Sequence, residues 1–160
     1  MHNTIVIFIH LMAAAIAVGG LVVGLLLLLP ALEKRPAPNA PEEHTAAYIT
    51  LEVLMPTVFA CMLALVGSGV YYLFSNYTSQ YGLDGGYFNL FGIKMVFVAG
   101  AFFLSAYQTF GLRSRITNLD LSPENRTQVP ATIKKLRSLS RITLALISIA
   151  LFLGIWLARF

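Results

Sequence analysis

The sequence predicts an all-α protein, a four-transmembrane-helix bundle with both termini outside. Three observations carry that reading. First, 58% of the 160 residues are hydrophobic, 11% are charged, and mean hydropathy is +0.76. Soluble domains run near about 45–50% apolar and about 25% charged. A folded chain of this length keeps a large surface, so the apolar excess needs lipid as its solvent. Second, the excess falls in separate stretches, each near or above the roughly 20 residues that a bilayer demands. Third, Lys and Arg crowd into two of the connections between them. An ordinary cytosolic enzyme, a disordered chain and a disulfide-stapled secreted domain are all excluded.

The first span covers 4–30. It has no basic leader, and its apolar run continues past the small residues Ala13–Ala17, so it reads as a retained helix and not a cleaved signal. The connection that follows, Glu33–Thr45, holds Pro36, Pro38 and Pro41. Three prolines at that spacing break a helix and mark an irregular exposed loop. The second span covers 49–75 and contains Cys61, which has no partner Cys in the chain and reads as a small buried hydrophobe. A loop rich in Gly, Ser, Tyr and Asn, Asn76–Gly86, leads to the third span at 87–112. The third connection, Arg113 to about Leu139, is expected to hold a short surface helix after Pro130, and the last span covers 140–158. The four spans make one integral membrane domain over 1–160.

The positive charges set the orientation. Lys34 and Arg35 lie in the first loop, and Arg113, Arg115, Arg126, Lys134, Lys135, Arg137 and Arg141 lie in or beside the third. The amino-terminal tail and the second loop carry none, and the carboxyl tail only Arg159. The positive-inside rule then places loops one and three in the cytoplasm. Trp156, Tyr71, Tyr72 and Tyr87 suit the outer aromatic belt. The net charge of +4 is thus a topology signal whose partners are membrane lipids with anionic headgroups, and no nucleic acid is expected.

Ionisable groups inside spans are costly and mark functional sites by default. His10 and Lys94 are the two placed deep, each roughly 9–10 Å below the outer surface at about 1.5 Å per residue. Two such residues at one level point to one site. His10, Ala13, Ala17, Gly20 and Gly24 share a face of the first helix, a small-residue stripe that lets helices approach closely. Lys94, Val98, Ala101, Ser105 and Gln108 form the matching stripe of the third. In the second, Glu52, Pro56, Ala60, Ala64 and Gly67 are expected inward, and in the fourth Arg141, Ala145 and Ser148. Each site residue also has a plainer reading. Lys94 can snorkel to headgroups on its long stem, and His10 can hydrogen-bond a neighbouring helix. Glu52 and Arg141 read as interfacial anchors, and Tyr107 and Gln108 lie about 20 Å beyond Lys94 on its helix, away from its site.

The chain has no His-Glu-x-x-His, no Cys-x-x-Cys, no phosphate-cradling Gly loop and no Gly-x-Ser-x-Gly. Paired carboxylates within a span are also missing, which speaks against acid–base hydrolysis. A lone His in an apolar bundle suits axial ligation of haem, with a nearby cation for the propionates.

The run His10-Leu11-Met12-Ala13-Ala14-Ala15-Ile16-Ala17-Val18-Gly19-Gly20 resembles the opening helix of CopD-type copper-resistance membrane proteins. It is also similar to that of HemJ-type protoporphyrinogen oxidases, and Pro30 and Leu32 match the Leu-Pro-x-Leu that closes the helix in the HemJ type. Gly92-Ile93-Lys94-Met95-Val96 through Tyr107 resembles the Lys-bearing helix of the same group. The chain departs from the pattern at Ala17 or Val18, where an aromatic residue is common, at Tyr107-Gln108 in place of Tyr-His, and at Leu139-Ser140-Arg141-Ile142 in place of Asn-Glu-x-Pro. The resemblance implies a bacterial cytoplasmic (inner) membrane protein associated with haem b. It assigns His10 as the cofactor-binding and metal ligand, and Lys94 as cofactor-binding and as the catalytic or proton-relay group.

Three functions follow as expectations. The leading one is a haem-b-associated redox or haem-handling protein, with porphyrin or quinone reaching it from lipid. The alternative is CopD-like copper transport or handling, with His2, His10 and Met12 or Met1 facing outward; copper would then replace haem as the bound metal. The third is a structural or assembly subunit, either a homo-oligomer or part of a larger membrane complex.

Overall fold

The computed structural model describes residues 2–33, 46–77, 85–113, 115 and 128–157. The prolines of the first loop, most of the second and third loops, Met1 and the His2 side chain lie outside the described residues. Within them the chain is all-helical. Helix α1 runs His2–Val23, continues through a π-helical turn at Gly24–Leu28 and ends with Leu29–Glu33. Helix α2 is Ala46–Tyr77. Helix α3 is Gly85–Ala106 followed by a π-helical turn at Tyr107–Arg113. Helix α4 is Val129–Leu157. All 4 contain stretches long and apolar enough to cross a membrane, and the chain is a multi-pass membrane protein.

The helices form a four-membered ring. α1 packs most extensively on α2, and α3 on α4, while α2–α3 and α4–α1 contacts join the two hairpins. Along the diagonals α1–α3 and α2–α4 the backbones stay apart among the described residues, and only side chains meet in the centre. Glycine makes the α1–α2 seam close. A Cβ at Gly20 would stand 3.1 Å from Val58 Cγ2 and 3.2 Å from Leu54 Cδ1, and one at Gly24 3.2 Å from Leu54 Cδ2. Between α2 and α3, Phe59 stacks edge-on to Phe110 with centroids 5.2 Å apart, in the range favoured by ring quadrupoles.

Two apolar clusters fill the ring. Leu21, Val58, Met62, Ala101 and Ile147 hold its middle. Leu25, Leu29, Leu51, Met55, Leu112 and Leu136 are among those that hold the end where α1 and α3 finish and α2 and α4 begin. This basic end is further tied by Arg137 Nη1 donating to Glu33 Oε2 across α4 and α1. Outward faces carry bare apolar side chains, such as Phe8, Val96, Phe103 and Ile155. In water these would be a liability; in acyl chains they cost nothing.

Three expectations need correction. The fourth helix begins at Val129, so the segment after Pro130 is the first part of α4 and not a separate surface helix. Ile133 and Leu136 are buried in the core there, with Lys134 and Lys135 turned outward. Charge lowers the mean hydropathy of that stretch without altering its amphipathic period. In α2 the buried face is Leu51, Met55, Val58 and Met62, while Glu52, Ala60 and Gly67 are exposed. In α4 the buried face is Ile133, Leu136, Ser140, Thr143 and Ile147, while Arg141, Ala145 and Ser148 are exposed. Small residues permit close approach but do not compel it, and the larger apolar side chains took the inner faces.

Candidate functional site

The terminal end of the ring, where α1 and α3 begin and α2 and α4 finish, lies beyond both apolar clusters. There the α1 stripe behaves as the sequence predicts: Ala13 and Ala17 are buried and His10 is half-buried above them. His10 Nδ1 lies 2.7 Å from Ser68 Oγ on α2, and its Cε1 edge faces Gly69, whose added Cβ would stand 3.8 Å away. Ser68 and Gly69 were not visible as site residues in the sequence. The signal that was available is the Gly67-Ser68-Gly69 run, a polar residue between two glycines inside an apolar span.

The Ser68 hydroxyl fixes the imidazole. Its single hydrogen is directed back to the Ala64 carbonyl one turn earlier, 2.5 Å away, with Leu65 O at 3.3 Å. A hydroxyl has one hydrogen and two acceptor lone pairs. Both contacts are satisfied together when Oγ accepts from His10 Nδ1, and in that tautomer Nε2 keeps its lone pair. A histidine held through one nitrogen presents the other in a defined direction, which is the arrangement that orients metal-ligating imidazoles.

Lys94 reaches the same region from α3. It is half-buried, and its ammonium lies against α4 at Gly154: a Cβ there would meet Nζ at 3.0 Å and Cε at 3.5 Å. Glycine at 154 is what gives the lysine room. Among the described residues Lys94 makes no hydrogen bond and no ion pair. His10 and Lys94 stand on diagonal helices at the same end of the bundle. The sequence placed them at one depth; in the structure His10 lies against Ser68 and Gly69 of α2, and Lys94 against Gly154 of α4. A cation and a basic nitrogen at a low-dielectric end of the bundle can take an anion, a metal with an anionic ligand, or a proton.

A second polar cluster occupies the basic half and is closed on itself. Ser140 Oγ donates to Gln108 Oε1 at 2.8 Å, Gln108 Nε2 donates to Thr143 Oγ1 at 2.7 Å, and Thr143 Oγ1 donates to Leu139 O at 3.0 Å. Thr109 Oγ1 donates to Met55 O at 3.1 Å. The π turn at Tyr107–Arg113 makes this possible. Its wider winding buries the successive residues Gln108 and Thr109, one against α4 and the next against α2. Gln108 is thus occupied away from Lys94, in keeping with its distance along the helix, and Tyr107 bonds Lys135. Among the described residues no three His, Cys, Asp or Glu side chains gather as a metal cluster.

No protein-family model, curated protein or solved structure matches the chain.

Proposed function

We propose that the protein holds haem b at the terminal end of the bundle and serves a redox or haem-handling role there. The observation that carries this reading is the 2.7 Å contact between His10 Nδ1 and Ser68 Oγ, which holds the ring through one nitrogen and leaves Nε2 for a ligand. The donor set fits the group. A porphyrin brings four nitrogens to its iron, so one protein imidazole suffices, whereas bare copper asks for several soft or imidazole donors. Lys94, with no carboxylate partner among the described residues, fits a propionate or a proton-relay role. When bound, the haem supplies one-electron chemistry; the chain supplies the ligand, the cation and a dry setting. A lipid-borne porphyrin or quinone is the corresponding redox partner. The same reading places the basic end on the cytoplasmic side of a bacterial inner membrane.

The test is the absorption spectrum of protein expressed with ample haem and purified in mild detergent, oxidised and dithionite-reduced. A Soret and alpha band are expected for the wild type and lost in His10→Ala. Ser68→Ala keeps the ligand but frees its ring, and is expected to weaken haem retention about 10–100-fold. A haem-replete preparation without any band ends the proposal.

A further inference from the structure

A cavity of about 350 Å³ opens at the basic end, lined by Leu112 and Arg115 after α3 and by Gln128, Ala131, Thr132 and Lys135 on the first turns of α4. It lies at the opposite end of the bundle from His10 and does not depend on the haem reading. It is an open cleft at the surface, in which Leu112 is buried and Arg115, Gln128, Ala131 and Lys135 are exposed.

Among the described residues the lining holds two cations and no carboxylate. Lys135 is positioned by Tyr107: its ammonium donates to the Tyr107 hydroxyl at 3.1 Å and stands 5.4 Å from the centre of that ring. An ammonium has three hydrogens, and among the described residues the Tyr107 contact takes one of them. Arg115 adds a planar fork suited to two oxygens of one anion. Glu33, which would compete for a cation at this end, is engaged by Arg137. Leu112 and Ala131 give the cavity an apolar wall. Towards the membrane centre the π turn of α3 continues into exposed Tyr107 and Phe110, the latter 66% exposed, a surface on which an acyl chain can lie. Cations at the headgroup level above an apolar surface match one ligand chemistry, a phosphate diester carrying acyl chains.

We propose that this cavity binds the phosphate of an anionic phospholipid, with Arg115 and Lys135 as its two cationic contacts. The probes are phosphatidylglycerol and phosphatidylcholine, titrated against the full-length protein in mixed micelles and read by native mass spectrometry. Wild type is expected to retain phosphatidylglycerol at least about tenfold better than phosphatidylcholine. Arg115→Gln with Lys135→Gln is expected to bring that ratio close to one. Lys134→Gln with Arg141→Gln removes the same charge from exposed positions outside the cavity and is expected to leave the ratio unchanged. If the cavity pair fails to fold, each single variant is measured, with roughly a fivefold drop expected for each. An equal drop in both pairs means diffuse surface attraction and overturns the site, as does a wild type without preference. Displacement of the lipid by millimolar inorganic phosphate overturns a lipid source and leaves a soluble phosphate as the ligand.

Discussion

Ser68 and Ser148 are the same residue in the same local state, each donating to the carbonyl four residues earlier. One holds His10 and the other faces outward. Ser68 sits between Gly67 and Gly69 and Ser148 between Ile147 and Ile149, but their roles are set by what the neighbouring helix brings. His10 and Lys94 were legible because an ionisable group in an apolar run is conspicuous from sequence alone. Their supports were not, because serine and glycine are common in membrane helices for packing reasons. Gly154 supplies a test at this scale. Gly154→Leu is expected to displace the Lys94 ammonium and reduce haem retention as far as Lys94→Gln does. Gly19→Leu, where an added Cβ meets nothing within 4 Å, is expected to leave retention unchanged; absorbance per protein after gel filtration reads both. The closed Gln108–Ser140–Thr143 cluster is a stabilising device by the same logic. Gln108→Leu and Thr143→Val are expected to show a coupling of about 0.6–1.7 kcal/mol in a double-mutant cycle, measured by reversible unfolding in mixed micelles.

Among the elements, α4 is the one whose extent the sequence concealed. Hydropathy alone ends the span near residue 140, since Lys134, Lys135, Arg137 and Arg141 outweigh the leucines between them. The period of Ile133, Leu136, Ser140, Thr143 and Ile147 runs without a break through that boundary, and it is the better guide. Leu136→Ala is therefore expected to cost about 2–5 kcal/mol as a core cavity, while Ser148→Ala stays within about 0.5 kcal/mol. The same unfolding assay checks both, and equal small effects would return residues 129–139 to a peripheral role. The α1–α2 seam gives a sharper steric expectation. Gly20→Ile forces a branched side chain into the 3.1–3.2 Å gap against Val58 and Leu54, an overpacking of about 1–3 kcal/mol.

For the whole molecule, the asymmetric distribution of Lys and Arg predicts the orientation, and accessibility tests it. In a Cys61→Ser background, Ser79→Cys in the second loop is expected to react with an impermeant maleimide added to intact cells. Ser122→Cys in the third loop is expected to react only after lysis, and the reverse pattern would invert the bundle. The ring order has a longer reach. His10 and Ser68 belong to the first hairpin, Lys94 and Gly154 to the second, and the helices that carry the imidazole and the ammonium stand on a diagonal of the ring. Each hairpin therefore completes half of the constellation by itself, and only their docking closes it. During synthesis the first hairpin can enter the bilayer with its imidazole already oriented and wait for the second. Two separately translated halves, divided in the second loop, would then regain the haem band on mixing in one membrane, and the band itself would clock the assembly.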